Sequence, residues 1–386
     1  MSSRESSPAN SHLQWGTPPW HVDFRPPKPE MPKAVDVAIV GAGFTGLAAA
    51  SWMRLLAPEK SVAVFEAFEI GAGASGRTGG LVLTESAAGD LPGLGDVLSG
   101  FSGILETLGI ECELDLPGVW EISRSNPISN SKIDWTDSGA LRVSKELEGG
   151  TLNPGMLVTG LARKAHALGA MIFEHHRVAR IDWTTVPCLH FAGAGLRLRQ
   201  IEAKKVLLAT NALSLPLTHL QASTTPMLTL AVESEPIGEK ELEKLGLAER
   251  KPFYTSDLPY LWGRLRRDRS IVWGAIRVDP PEGGTLEKVD IRTPEISGIF
   301  DALEDRIRRM HPVLDQVQFR ARWGGPILFR PDWKPVFGVH PESHNAIVLG
   351  AYAGHGVALS SYLGKWAVEA LLGTRTLPSW GAIGGK

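Results

Sequence analysis

Apolar positions along this chain fall into runs of two periods. AVDVAIV (34–40), SVAVFEA (61–67) and KKVLLATNALS (204–214) contain short, unbroken, largely β-branched stretches, the pattern of strands buried on both faces. LAAASWMRLL (47–56) is helical in composition. The segment 151–181 reads as a helix burying Leu157, Leu161 and Leu168, then a strand ending near Val178. Near the C-terminus a strand at Ile347 to Leu349 precedes a Gly-rich turn and a helix carrying Val357, Leu359, Leu363, Val368 and Leu371. Between 215 and 330 the pattern changes. YLWGRLR (260–266) and SIVWGAIRV (270–278) read as a hairpin with mixed faces. A helix over roughly 294–310 places Ile296, Ile299, Phe300, Leu303, Ile307 and Met310 on one stripe, bounded by Pro294 and Pro312. The first thirty-three residues hold seven prolines and predict an irregular leader, in which Trp15, Trp20 and Phe24 offer groups that could lie against the body.

The junction of the first strand and helix carries a motif. Gly41, Gly43 and Gly46 form G-x-G-x-x-G around Ala42, Phe44 and Thr45. Such spacing allows a tight turn, approach of a pyrophosphate to the backbone, and close helix–strand packing, with the helix start turned to phosphate. Glu66 closes the second strand twenty residues after Gly46, where an acid binding a ribose hydroxyl belongs, followed by Ala67. An acid there disfavours a 2′-phosphate, hence NADP. NAD and FAD share the fingerprint, and it does not choose between them.

Composition removes several function classes. The 386 residues are 43% hydrophobic and 21% charged, an ordinary globular balance. A formal charge of −2 does not advertise nucleic acid as a partner. No apolar run is long enough to span a membrane, and the N-terminus has no signal-peptide core, so a cytoplasmic location is expected. Cys112 and Cys188 make neither a disulfide framework nor a zinc site. No metal site is expected: His175-His176 would point to opposite strand faces. GxSxG, HExxH and paired-carboxylate motifs are absent.

The segment after the acid, GAGASGRTGGLV (71–82), resembles the GASGRNGG loop of the FAD-dependent amine and amino-acid oxidoreductases of the D-amino-acid oxidase and glycine/sarcosine oxidase superfamily, with Thr78 in place of the usual Asn. The resemblance extends through Ala209-Thr210-Asn211-Ala212, RARWGGPILFRPDWKPVFG (320–338) and AYAGHGV (351–357), and is nearest to the γ-glutamylputrescine-oxidase-like branch. It implies an α/β protein, with a Rossmann-like FAD-binding domain interleaved with an antiparallel-sheet α+β substrate domain. Beyond the leader at 1–33, the implied segments are FAD-binding at 34–90, 151–215 and 323–386, and substrate-binding at 91–150 and 216–322.

The resemblance carries non-covalent FAD onto Gly41, Gly43, Phe44, Thr45, Gly46, Glu66 and Ala67, and onto Ala74, Ser75, Arg77, Thr78, Gly79 and Gly80 of the loop. It extends to Val178, Thr210, Asn211, Trp323, Gly325, Gly354, His355, Gly356, Val357 and Ala358. The helix starts near Gly43 and Gly356 should converge on the two ends of this one molecule. His355 reads either as a group at the flavin or substrate edge or as a turn histidine bonded to backbone. Tyr260, Trp262, Arg264, Arg322, Trp323 and Tyr352 are candidate walls of a substrate pocket, with an Arg to hold a carboxylate. The cluster Arg264, Arg266, Arg267 and Arg269 otherwise reads as a solvated hairpin tip.

The implied chemistry is oxidation of a C–N bond of an amine or amino acid by hydride transfer to flavin N5, then hydrolysis of the imine. Oxygen or another acceptor takes the electrons. The lysine that assists oxygen in sarcosine-oxidase-like relatives has no counterpart in SIVWGAIRV. Two alternatives stay open on the sequence. An NAD-dependent dehydrogenase or reductase explains 35–66 but gives no purpose to 71–82 and 345–373; a non-catalytic flavoprotein scaffold keeps the cofactor without the reaction.

Overall fold

The computed structural model describes residues 13–125, 127–128, 130–192 and 200–383. Residues 1–12 of the expected leader lie outside the described residues. The chain divides into two compact units, each built from three stretches: Trp20–Leu116, Gly149–Met227 and Pro326–Lys386 in one, Met1–Pro19, Pro117–Glu148 and Leu228–Gly325 in the other.

A parallel sheet organises the first unit. Its order is Met171–Phe173, Val62–Phe65, Ala34–Val40, Gln200–Leu208, Ser343–Gly350, each parallel to its neighbour. In chain order this is third, second, first, fourth, fifth, the doubly wound arrangement, which leaves a crevice where the winding reverses beside Ala34–Val40. Val336–His340 adds antiparallel to the last strand, and Cys188–Phe191 and Val178–Asp182 form a branch off Gln200–Leu208. Apolar alternation is absent in Val62–Phe65 because all four side chains are buried. The helices Phe44–Leu56, Pro154–Ala167 and Gly356–Leu372 supply Leu47, Met53, Leu157, Leu161, Leu359 and Leu363 to one continuous core. Asn153 caps the second of these, its Oδ1 accepting the Met156 N–H with Pro154 in the first turn.

Two expectations about this unit need correction. Residues 91–116 were assigned to the substrate half. The helix Val97–Leu108 instead buries Phe101, Ile104, Leu105 and Leu108 in the parallel-sheet core. No strand ends near Val178: Met171–Phe173 stops early, a turn follows with His175 at φ +59°, and Val178 begins the next strand. His175 lies in the turn and His176 just after it, so the two are not strand neighbours, and no cluster of metal-ligand type occurs among the described residues.

The second unit is an eight-stranded sheet in the order Phe319–Phe329, Thr225–Ser234, Ile271–Val278, Trp262–Leu265, Phe253–Thr255, Val119–Ser123, Ala140–Leu147, Trp135–Thr136. Where register is defined it is antiparallel, except that Phe253–Thr255 runs parallel to Val119–Ser123. Trp135, Phe253 and Trp273 form an aromatic cluster with centroids 4.9–5.6 Å apart. The helix Pro294–Arg309 follows the sequence reading, with Ile296, Phe300, Leu303 and Ile307 buried and Ile299 half-buried. Thr293 caps its start and three arginines occupy its last turn, both favourable to the helix dipole. The expected hairpin is present, Trp262 opposite Gly274 and Arg264 opposite Val272. Its basic residues are not all solvated: Arg264 is 6% exposed, and Arg266 pairs with buried Glu233.

Candidate FAD site

Gly41 leaves Ala34–Val40 at φ +106°, a conformation that disfavours any side chain, and a Cβ there would lie 2.6 Å from the Ala209 carbonyl oxygen. The fingerprint turn is thus pressed against the end of Gln200–Leu208, at the crevice. Gly46 is needed for a second reason: its Cβ would sit 1.9 Å from the Gly41 oxygen. Gly43, the N-cap of Phe44–Leu56, makes no side-chain cap bond, and Ser75 Oγ takes the first N–H of the helix, that of Phe44. The positive dipole end at this helix start suits an anion.

Glu66 organises this turn. One carboxylate oxygen accepts the Ala42 N–H at 2.9 Å and the other the Phe68 N–H at 3.0 Å. Burial pushes its carboxyl above the usual carboxylate range, against the pull of the backbone donors at Ala42, Phe68 and Ala67. The residue still keeps part of its surface open, as a ligand-contacting acid requires.

The 71–80 loop packs on the same turn. Gly71 N–H donates to Ala42 O at 3.0 Å, and Phe44 N–H donates to Ser75 Oγ at 2.9 Å. Ala74 and Ser75 lie in a single 3-10 turn, Ala74–Gly76. Arg77 is buried, its Nε donating to Ala72 O, and burial pulls its guanidinium down to about 10. Thr78 Oγ1 accepts the Gly80 N–H at a long 3.4 Å, and Gly80 O takes the Leu152 N–H; Gly79 lies between them.

The C-terminal turn meets these segments. Tyr352 and Thr45 share a buried hydroxyl–hydroxyl hydrogen bond of 2.7 Å, tying the turn before Gly356 to the helix that starts after Gly43. The Asn211 side chain accepts the Ala351 N–H at 2.9 Å. Ala351 and Ala353 both hold positive φ, +57° and +50°, a strained backbone for alanine. His355 is the N-cap of Gly356–Leu372 without a side-chain cap bond. Its Nδ1 is buried without a partner, and burial holds the ring below the usual histidine pKa, against the pull of the Ala353 backbone. Gly354 is exposed, while Val357 and Ala358 turn into the core. Val178 is buried at the start of its own strand, and Thr210 follows the end of Gln200–Leu208 with its Oγ1 buried and without a partner.

Tyr352 was expected in the substrate pocket. Its hydroxyl is instead spent on Thr45, and burial raises it far above the usual tyrosine range. Trp323 was expected to touch ligand. It is 0% exposed in the mixed-sheet unit and bridged to Gly16, so its ring has no face to offer, and Gly325 is buried two residues along the same strand. Arg322 was expected to hold a carboxylate. Its guanidinium is already committed to Glu304 and Asp301, each at 2.7 Å.

Three expected residues group within the mixed-sheet unit. Trp262 and Arg264 are two apart on one strand and share a face. The Trp262 indole occupies the space over Gly274, whose Cβ would meet it at 2.1 Å. Tyr260 is half-buried, burial pushes its hydroxyl up to about 12, and its carbonyl accepts from Arg306 at 3.0 Å. Tyr254, opposite Trp262 on the next strand, shares this face and had no motif to reveal it.

The donor set suits a dinucleotide: a Gly-rich helix start, an acid fixed by backbone N–H groups and a loop bonded to the fingerprint turn. A family model described as FAD dependent oxidoreductase (DAO) matches residues 36–370. Gamma-glutamylputrescine oxidoreductase of Escherichia coli (strain K12) is 25% identical over 390 residues, covering 88% of this chain and 84% of that protein. Probable oxidoreductase OrdL of Haemophilus influenzae is 24% identical, covering 91% and 86%. Among solved structures, glycine oxidase from Geobacillus kaustophilus has TM-score 0.68 at 19% identity, covering 89% of this chain and 96% of that one. L-Amino acid deaminase from Proteus myxofaciens has TM-score 0.70 at 15% identity, covering 96% and 97%. No helix among the described residues is long and apolar enough to cross a membrane. Because the matched stretch runs from the first strand almost to the end of the last long helix, this chain belongs to the DAO family of FAD-dependent oxidoreductases, and FAD is its cofactor.

Proposed function

We propose that this enzyme oxidises the carbon–nitrogen bond of an amine or amino acid. The observation that carries the reading is the sheet face with Trp262, Arg264 and Tyr254, next to the loop residue Tyr260. Aromatic rings enclose an apolar body, and a guanidinium presents paired donors to a carboxylate. The Escherichia coli relative is named for gamma-glutamylputrescine, a compound that carries both amine and carboxylate, in keeping with that donor set.

FAD, held non-covalently by these residues, would supply a two-electron sink for hydride from the carbon beside nitrogen, and water would hydrolyse the resulting imine. The protein's own work is binding and orientation. Glu66 and the helix start at Gly43 hold the ribose and phosphates. The start of Gly356–Leu372 places a positive dipole end at the site, and His355, neutral by burial, adds no full charge there. Arg264 holds the substrate carboxylate from the strand face it shares with Trp262, while the Arg322 guanidinium pairs with Glu304 and Asp301. Neither Cys112 nor Cys188 lies near the C-terminal turn in sequence, and burial pushes the Cys112 thiol up to about 11, which argues against a thiolate link to the cofactor. The strand Ile271–Val278 carries no lysine, which supports an electron acceptor other than oxygen.

The test is an anaerobic screen of amines, N-methyl amino acids and D-amino acids for bleaching of the visible flavin band, followed by admission of air. Bleaching by carboxylate-bearing amines, lost at least tenfold in apparent affinity in Arg264→Ala and kept in Arg322→Ala, is the expected result. A flavin that no amine or amino acid bleaches points to a scaffold and overturns the reading.

A further inference from the structure

The leader segment 20–25 has neither helix nor strand, yet it is fixed at almost every residue. Trp20 is 5% exposed, and its indole N–H donates to Gly76 O at 2.8 Å. A Cβ on Gly71 would lie 3.4 Å from Val22, and one on Gly155 would lie 2.3 Å from His21 O. Asp23 N–H donates to Thr159 Oγ1 at 2.8 Å, and Asp23 O accepts from Arg163 at 2.6 Å. Phe24 packs on His166 at 5.9 Å. Arg25 reaches Glu69 at 3.1 Å and Glu174 at 3.9 Å, and Glu174 in turn accepts the Ile70 N–H.

These contacts have two ends. His21, Asp23 and Phe24 grip the helix Pro154–Ala167. Trp20, Val22 and Arg25 grip residues 69–76, the loop whose Ser75 bonds the fingerprint helix start and whose Gly71 bonds Ala42. We infer that 20–25 is a brace that holds the 69–77 loop in its FAD-binding shape, and that Trp20 is a positioning residue for FAD although it lies outside every nucleotide motif. The loop has hydrogen bonds of its own, among them Gly76 N–H to Gly71 O and Thr78 N–H to Ala74 O, but these fix only its local turns. Trp20 ties it from outside, and the Trp20–Gly76 bond sits one residue from Ser75. Without the brace, FAD must order the loop itself, and that cost appears as weaker binding.

The experiment measures FAD release from the full-length holoprotein on dilution, followed by flavin fluorescence, for wild type, Trp20→Phe and Trp15→Phe. Trp15 is an internal control. It is an equally buried leader tryptophan with its own indole bond, to Leu286 O at 3.1 Å in the mixed-sheet unit. Trp20→Phe keeps an aromatic ring and loses the bond to Gly76. It should raise the Kd for FAD about five- to tenfold and alter the fine structure of the bound flavin spectrum. Trp15→Phe should lower the melting temperature while leaving Kd and spectrum at wild type. A wild-type Kd in Trp20→Phe, or equal weakening in both variants, overturns the proposal. If Trp20→Phe does not fold, Arg25→Glu serves, because Arg25 is half-exposed and the change sets a third acid beside Glu69 and Glu174. Weakening of about threefold, relieved by salt, supports the brace, and an unchanged Kd overturns it. The inference rests on FAD as cofactor. A wild-type chain that holds no FAD defeats that assignment, whereas wild type that holds it and variants that match it defeat the brace alone.

Discussion

Single residues carry the electrostatics of the nucleotide site. Glu66 accepts two backbone N–H groups, and a hydrogen bond to a charged acceptor is worth about 1.5–3 kcal/mol. Glu66→Gln turns one of those acceptors into a donor, and FAD should bind roughly ten- to a hundredfold more weakly by the same dilution measurement. His355 gives a pH dependence. Its folded pKa is depressed below the ordinary 6.5 by burial, so the unfolded chain takes up a proton that the folded one refuses. Stability therefore falls as pH drops through about 6.5 and goes on falling until the depressed value is reached, by at most about 1.4 kcal/mol per pH unit. His355→Gln should flatten that slope in urea unfolding of the apoprotein between neutral and mildly acid pH. The buried His340 is shifted in the same direction and stays in place as background. At this scale the sequence was readable where chemistry dictates residue type, as at Gly41, Gly46 and Glu66. It read Tyr352 as a pocket wall and gave no sign of its tie to Thr45, which spans most of the chain, nor of the left-handed backbone at Ala351 and Ala353, because alanine does not announce one.

Elements show how the same glycines act through packing. Gly46→Ala would force a methyl 1.9 Å from the Gly41 oxygen, and backbone cannot rotate away. It should cost about 1–3 kcal/mol of stability with or without FAD. Gly43→Ala meets Ser75 Oγ at 2.7 Å, a side-chain atom that can turn aside while abandoning the Phe44 N–H. Its loss should fall mainly on FAD affinity. Melting of apo and holo forms separates the two, and an equal fall in apo stability for both variants would contradict the distinction. Strands and helices followed hydrophobic period closely where burial is one- or two-sided, as in Val62–Phe65 and Pro294–Arg309. The reading failed at Val178 because a left-handed His175 breaks one apparent strand into two, a turn without Gly or Pro to announce it.

The whole molecule is two units, each built from three stretches of the chain and each with its own sheet. The sequence signalled both sheets, since period and β-branching change near 215, but placed 91–116 in the wrong one. That helix is amphipathic, and which core receives its apolar face is a tertiary fact. The chemistry proposed for the molecule is two-electron oxidation beside nitrogen, with the chain contributing binding and orientation and no acid–base pair. Its most direct test is a single anaerobic turnover with a bleaching amine that carries hydrogen or deuterium on the carbon next to nitrogen. Slower loss of the visible flavin band with deuterium, with one carbonyl compound released per flavin bleached, is the predicted result. Equal rates and no carbonyl product would contradict the account.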